Sequence, residues 1–346
     1  MKNFLCTVFF ITGMLAGTLL QAQDKTPYSV TPFTAAAVKQ VEVKTSGGSI
    51  QVQYKTAEAS RVEVYIRSNG NNEKLSKEEI DARLAEYYDY RVEVSGNTLY
   101  AIAKTKGNIN NWKKTLSISF VIYTAQKVNT LLQTSGGSIN LSALDGEHEF
   151  ATSGGSLKLA GMRGQLKGST SGGSINLEDV NANGSLQTSG GSIQAKTSKG
   201  NLSLRTSGGS LKLEDLDGKI DATTSGGSVT ASNIAGELKT ATSGGSIRAQ
   251  KMHCNLDAAT SGGSINIEMD ALKDYVRVNN SAGNINITIP AASKVNLDLS
   301  GQRISVPNLT NFSGNASDKS INGTVNGGGA NVTVSGHSGQ VTLQFK

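Results

Sequence analysis

The sequence has 346 residues, a formal net charge of +6 and 17% charged residues. Its basic and acidic residues are interspersed and form no long Lys/Arg run. The charge pattern therefore indicates neither binding to nucleic acid nor binding to an acidic membrane.

Residues 1–23 are predicted to be a secretory signal. Lys2 is the only charged residue there, and an apolar run from Phe4 to Leu20 ends just before the predicted cleavage position. An uncleaved anchor helix is the alternative, although a transmembrane helix usually needs about 20 apolar residues. Cleavage would leave an exported chain without a transmembrane span, located in the periplasm, on the outer cell surface or outside the cell.

Residues 24–130 are predicted to begin the repetitive part of the chain and to carry an insert that caps it. The phrase Thr-Ser-Gly-Gly-Ser first occurs at Thr45, between two alternating apolar runs. Ser76 and Glu79 then form a capping-box pattern, which predicts a helix over about 76–90. A hairpin with its turn at 95–97 follows, and residues 116–123 are predicted to return to the repeats.

This insert is predicted to close one end of a stack of strands, because an open end exposes unpaired strand edges. Aromatic residues are concentrated in it, including the single tryptophan, Trp112, and they become sparse from residue 131 onward. We therefore expect the cap to have the more conventional globular core.

The phrase Thr-Ser-Gly-Gly-Ser recurs eight more times with a constant 18-residue period. Its first residues are Thr134, Thr152, Thr170, Thr188, Thr206, Thr224, Thr242 and Thr260. A fixed short period is typical of a stacked repeat architecture in which each unit is one turn. A disordered Gly/Ser linker would not keep aliphatic residues in register over eight units.

One unit, residues 206–223, illustrates the pattern. Leu211 and Leu213 alternate with polar residues, and Ile220 and Ala222 do so again after Gly218, which predicts two short strands and two corners. No helix fits between them, so strands of consecutive units must pair in parallel, about 4.8 Å apart. Gly-Gly pairs are expected to supply positive φ at corners, and stacked Thr and Ser to form hydroxyl ladders.

The predicted fold class is all-β: a single-chain parallel β-solenoid (β-helix) with 18-residue repeats, plus the N-terminal cap with one helix and a hairpin. The solenoid is expected to occupy residues 131–346. After Met269 the period loosens, and alternating runs at 285–289, 295–299 and 332–343 are expected to complete further, atypical turns.

Several segments together carry a resemblance to a known family. The repeated TSGGSI units, the strand LSISFVIYTAQKVNT that leads into them, the late copy NNSAGNINITIP and the closing NGGGANVTVSGHSGQVTLQFK resemble the bacterial putative-adhesin family. These are exported β-strand-repeat proteins, otherwise labelled a domain of unknown function. The resemblance implies adhesion and supplies no catalytic residues, and a shared fold does not fix a function.

The sequence favours a non-enzymatic, monomeric protein that presents an extended surface to an unknown surface polymer or protein. No cofactor, metal site or catalytic residue is predicted. Cys254 is the single cysteine outside the leader and lies in a column of small corner residues, so we expect a small buried side chain. The adjacent His253 does not turn it into a zinc site, because two neighbouring residues do not supply a ligand set.

A polysaccharide-cleaving enzyme is the alternative, and it would need clustered carboxylates. One surface ladder could supply them and is also the candidate binding surface: Glu178, Asp179, Lys196, Glu214 and Asp215. Its acidic pairs lie two turns, about 9.6 Å, apart, near the upper end of carboxylate spacing in inverting glycosidases. Alternating charges on a solvated ladder explain the same residues more simply.

Overall fold

The computed structural model describes residues 26–70, 75–107, 111–307 and 309–346. The predicted leader, residues 1–23, lies outside the described residues. Within them the chain forms 26 β-strands and one α-helix, so the predicted all-β class is confirmed. The N-terminal elements are β1 (Ser29–Pro32), β2 (Gln40–Thr45), β3 (Ile50–Gln53), β4 (Arg61–Ser68), α1 (Lys77–Tyr87), β5 (Tyr88–Ser95), β6 (Thr98–Thr105) and β7 (Leu116–Tyr123).

The repeats form the middle of the chain. Their strands are β8 (Asn129–Thr134), β9 (Ile139–Ser142), β10 (Asp145–Thr152), β11 (Leu157–Ala160), β12 (Arg163–Thr170), β13 (Ile175–Glu178), β14 (Asn181–Thr188), β15 (Ile193–Lys199), β16 (Leu202–Thr206), β17 (Leu211–Thr224), β18 (Val229–Thr242) and β19 (Ile247–Thr260). The C-terminal strands are β20 (Ile265–Met269), β21 (Tyr275–Asn280), β22 (Ile285–Ile289), β23 (Val295–Ser305), β24 (Phe312–Ala316), β25 (Ser320–Val325) and β26 (Ala330–Phe345).

Successive 18-residue units, here called coils, pair in parallel and in register. Leu211 lies opposite Ile193 on one side and Val229 on the other. Early coils contain two separate strands, as expected. From β17 to β19, however, one strand of 14 residues runs through the corner. In β17 the left-handed residue Asp215 (φ 56°) turns the chain, and pairing with β18 continues from Leu216.

The core consists of the aliphatic columns that the alternation marks. Both columns of the first strand are at most 3% exposed in every regular coil. Their members are Ile139, Leu157, Ile175, Ile193, Leu211, Val229, Ile247 and Ile265, and Leu141, Leu159, Leu177, Ala195, Leu213, Ala231, Ala249 and Ile267. Burying one such Leu or Ile contributes roughly 1.5–3 kcal/mol. Side chains of neighbouring coils also complement one another in size. Phe150 lies opposite Gly168 of the next coil, because a Cβ on Gly168 would lie 2.1 Å from the Phe150 ring.

The Thr-Ser-Gly-Gly-Ser phrase closes the other corner through hydrogen bonds between coils. Thr206 Oγ1 donates to the Gly191 carbonyl of the preceding coil at 2.7 Å and accepts from the Gly209 N–H at 3.2 Å. The Ser210 N–H donates to Ser192 Oγ at 3.1 Å, so the hydroxyl ladders exist as predicted.

The glycine pairs have a different role from the predicted one. Gly208 and Gly209 do not adopt positive φ. Instead, a Cβ on Gly209 would lie 2.1 Å from the Gly191 carbonyl oxygen. Since real Cβ atoms do not approach backbone so closely, the second glycine is needed for the close contact of coils and not for a left-handed conformation.

The N-terminal cap is folded back over the first coil. Strands β2 and β3 pair in parallel with β8 and β9 on one side and with β6 and β7 on the other. Antiparallel strands then follow: β5 on β6, β4 on β7 and β1 on β4. The stack therefore ends in antiparallel pairs, and the strands that flank the first coil come later in the sequence.

Helix α1 begins at the predicted capping box. Ser76 Oγ accepts from the Glu79 N–H at 3.2 Å, and Glu79 Oε2 accepts from the Ser76 N–H at 2.8 Å. The helix ends at Tyr87, earlier than expected, because Tyr88 is already extended and its ring is buried against the cap. Trp112 was expected in the core of the cap but lies outside it, in a short 3₁₀ turn, and is 58% exposed.

The C-terminal end is also built out of chain order. The last strand, β26, pairs in parallel with β21 and β22 on one side and with β23 on the other. Antiparallel β25 and β24 lie beyond β23. The final runs therefore pair in parallel with the stack, but not in chain order, and the antiparallel β24 and β25 were not expected. Gly327 and Gly328 (φ 86° and 82°) help the chain to reverse after β25, which lets β26 lie between β22 and β23.

Candidate binding surface

The predicted ladder lies at the end of the first strand of three successive coils. Glu178, Lys196 and Glu214 are direct neighbours in the parallel register. Lys196 Nζ lies 3.8 Å from Glu214 Oε1, and Lys212 Nζ lies 3.7 Å from Glu214 Oε2. The fold thus brings the two glutamates onto one column but places a lysine between them.

Asp179 and Asp215 lie at the corner next to this column, where the backbone is left-handed. They adopt left-handed φ values of 52° and 56°, and Thr197 between them has 48°. Aspartate and asparagine tolerate this conformation better than most residues. Asn233 of the next coil donates to Asp215 Oδ1 at 2.7 Å. These aspartates are therefore corner residues of the fold.

Other columns carry similar ion pairs that the sequence reasoning did not single out. Lys167 pairs with Glu149 at 3.0 Å, Lys199 with Asp217 at 3.8 Å and Lys219 with Glu237 at 3.6 Å. In each pair the opposite charges are separated by one repeat period, which is the signal that could have found them. Exposed pairs of this kind contribute about 0–1 kcal/mol each.

The surface depressions of the stack are shallow. One of about 410 Å³ lies across β8, β10 and β12 and is lined by residues that include Leu131, Glu149 and Lys167. Another, of about 650 Å³, lies at the corner edge near the C-terminal end and includes Asn279 and His337. Among the described residues no group of three or more His, Cys, Asp or Glu side chains is arranged to hold a metal ion.

Two titratable side chains are buried in the stack. His148 is 2% exposed, its Nδ1 lies 3.1 Å from Thr130 Oγ1, and its Nε2 has no hydrogen-bond partner among the described residues. Burial lowers the pKa of His148 to about 4, against a smaller opposing effect of the Asp145 charge. Cys254 is fully buried, as expected, and burial raises the pKa of its thiol to about 12. His148 lies at the floor of the 410 Å³ depression, whereas Cys254 does not line either depression.

The comparison with protein families decides what the chain belongs to. The family described as Toastrack DUF4097 matches residues 16–344. The chain belongs to the Toastrack DUF4097 family. The resemblance to the bacterial putative-adhesin family is thereby confirmed. No curated protein matches the sequence.

Two solved structures are similar to this Toastrack chain. One, from Clostridium sporogenes ATCC 15579, is described as a putative cell adhesion protein; identity is 11%, coverage is 92% of this chain and 98% of the other, and the TM-score is 0.18. The second, a putative adhesin from Bacteroides fragilis NCTC 9343, has 13% identity, coverage of 92% and 96%, and a TM-score of 0.29. TM-scores this low carry no argument about structure or function. In the part of the chain that is described, no helix has the length and apolarity to span a membrane.

Proposed function

We propose that this Toastrack chain is an exported, monomeric, non-enzymatic surface protein that binds a polymer or another protein along a parallel β-solenoid of 18-residue coils. One observation carries the proposal: outward side chains of successive coils align in columns, as Glu178, Lys196 and Glu214 do. Each column presents one side chain about every 4.8 Å along the stack. A repeated contact suits a long or repetitive ligand, because many weak contacts add up.

The polysaccharide-cleaving alternative is less well supported by the geometry. A glycosidase needs two carboxyl groups that face the scissile bond from opposite sides. Glu178 and Glu214 instead point outward from one column, with Lys196 between them. The two depressions described above are lined by other residues, so neither encloses a substrate around this column.

The central test is to remove one coil. Deleting residues 189–206 removes one whole repeat unit and joins Thr188 to Ser207, so the phrase and the register are restored. If a polymer binds along the columns, a polysaccharide that the parent protein retains in an array screen should bind this variant more weakly in proportion to the lost contacts, with both ends of the protein unchanged. Unchanged affinity for every retained polymer would contradict binding along the stack.

Turnover is tested on the same polysaccharide panel by following new reducing ends and unsaturated products. We expect none. The double variant Glu178→Gln with Glu214→Gln should change binding only as much as the matched control Glu149→Gln with Glu237→Gln, since both remove two exposed charges, and added salt should suppress both differences. Turnover that only the first variant abolishes would establish the enzyme instead.

A further inference from the structure

The N-terminal cap carries a group of basic side chains that the fold gathers from separate segments. They surround the last turn of α1 and are here called the cationic patch: Arg83, Lys106, Lys113 and Lys114. Arg83 Nη1 donates to the Lys113 carbonyl at 3.4 Å, and Lys114 Nζ lies 3.4 Å from the Tyr87 hydroxyl. Lys106 Nζ donates at 2.7 Å to a carbonyl of the same turn. These contacts keep the four cations close together.

The four cations of the patch have no ion-pair partner among the described residues. None of them lies within 4.0 Å of a carboxylate there, unlike paired cations of the stack such as Lys167, which lies 3.0 Å from Glu149. The nearest acid on that helical turn is Glu86, which is exposed and makes no such ion pair with the described residues. The patch is therefore free to attract an anionic partner.

An apolar residue lies beside these charges. Trp112 directly precedes Lys113 and is 58% exposed, the most exposed of the large hydrophobic side chains in the described residues. Its 3₁₀ turn is held by Asn111, whose side chain accepts from the Lys113 N–H at 3.1 Å. Tryptophan flanked by lysine is typical of the membrane–water interface, where the ring lies at the headgroup level and the ammonium groups meet lipid phosphates.

The start of the described chain lies at this same end. The Tyr28 N–H donates to the Val64 carbonyl at 2.7 Å, and the Tyr28 phenol donates to the Asp81 carboxylate of α1. The chain therefore enters the fold beside α1.

We propose that the N-terminal cap docks on an anionic lipid bilayer, with Trp112 entering the interface and the cationic patch binding lipid phosphates. The proposal concerns a surface distinct from the coil columns and does not depend on the proposed function. It also revises the expectation from the sequence that an acidic membrane is not a partner. No sequence pattern marked the patch, because the four cations come from three separate segments and form no run.

Tryptophan fluorescence tests the docking directly, because Trp112 is the only tryptophan in the sequence. Every strand contact described above lies within residues 26–346, so a chain that begins at Asp24 retains them all. We expect its emission maximum to move to shorter wavelength with vesicles of equal parts phosphatidylcholine and phosphatidylglycerol. Vesicles of phosphatidylcholine alone should leave it unchanged, and raised salt should reverse the shift.

A matched pair of variants assigns the effect to the patch. Lys106→Gln with Lys113→Gln and Lys114→Gln should lower vesicle binding, measured by sedimentation, roughly a hundredfold, since each lysine near an anionic leaflet is worth about a factor of five. The control Lys239→Gln, Lys294→Gln and Lys319→Gln removes the same charge from other exposed positions and should retain most of the binding. Trp112→Ser should weaken binding without changing its salt dependence.

Three outcomes would overturn the proposal. The first is vesicle binding without any change in Trp112 emission, which would place the contact elsewhere on the molecule. The second is an equal loss of binding in the two triple variants, which would indicate a general charge effect. The third is an emission shift with a soluble anionic polysaccharide but not with anionic vesicles, which would assign the patch to a polymer.

Discussion

The regular stack and the two ends of the molecule satisfy their strands in different ways. Between Thr134 and Thr260 each coil pairs with near-copies of itself, so one set of side chains serves every step. At the ends no further copy is present, and antiparallel strands take over: β1, β4 and β5 at one end, β24 and β25 at the other. The sequence of a repeat thus specifies contact with the neighbouring coil, whereas the end of the stack has to be closed by segments with a different sequence.

A charge in the middle of the stack should have the largest effect on stability. Leu213→Asp would bury an unpaired carboxylate where Leu213 is 1% exposed, and it should cost about 3–5 kcal/mol of unfolding free energy. Lys212→Gln, one residue away on the outer face, should change it by less than about 0.5 kcal/mol. Urea unfolding checks both. Equal midpoints would show that the inward and outward faces are wrongly assigned.

The spacing of the coils can be tested with two adjacent glycines. Gly209→Ala should cost about 3 kcal/mol, because its Cβ would lie 2.1 Å from a carbonyl oxygen of the preceding coil. Gly208→Ala meets its nearest atoms at 3.5 Å and should change the unfolding free energy by less than about 1 kcal/mol. Thermal unfolding measures both variants. Equal unfolding temperatures would show that the second glycine is not needed for the close contact between coils.

The buried His148, near the junction between cap and stack, should make the stability of the protein depend on pH. The pKa of His148 is about 4 in the folded protein and near 6.5 in an unfolded chain. Between these values the unfolded state binds more protons, so stability should fall by about 2 kcal/mol from pH 7 to pH 5.

The variant His148→Leu, which supplies the residue type of Leu166 in the next coil, should remove most of that pH dependence. His253→Gln, a change at an exposed ring, should keep it. Urea midpoints at the two pH values decide the matter, and an unchanged pH dependence in His148→Leu would contradict the assignment.

A change in the cap should have the smallest effect and should remain local. Ser76→Ala removes the hydroxyl that accepts from the Glu79 N–H and should cost about 1 kcal/mol. Amide hydrogen exchange should accelerate in α1 while the strands of the stack keep their protection. Faster exchange throughout the stack would show that cap and coils unfold as one cooperative unit.

The sequence was sufficient for the stack because each residue has an equivalent one period away. Alternation then identified the buried columns, including Leu213 and Ile220. The corners were harder to predict, since their left-handed position holds Asp179, Thr197 and Lys251 in different coils. One backbone conformation is shared there without a shared residue type. The role of the glycine pairs was missed because a close contact between coils has no signal within one coil.

The arrangement of the ends could not be read from the sequence, because period identifies neighbours only where the period holds. Nothing in residues 40–53 indicates that β6 and β7, which come much later in the chain, will lie outside them. The exposure of Trp112 was unpredictable for the same reason. Aromatic residues in a globular segment are usually buried, and only the tertiary packing of the cap decides which one is left outside. The charge ladder was visible in sequence, but its functional meaning was not.

The burial of the last strand in the interior of the C-terminal end has a consequence for how proteins of this kind can change in length. Cutting the chain before Ala330 would not shorten the molecule by a layer; it would open a gap between β23 and the coils beneath it. The first coil, which begins with β2, lies between β6 and β8 and cannot be removed without opening a similar gap. Growth or loss is therefore confined to the middle, where the duplication or deletion of a whole repeat unit leaves both ends intact. Related proteins of this kind should therefore differ in length by whole repeat units in the middle of the chain and not by residues added or lost at the ends of the fold.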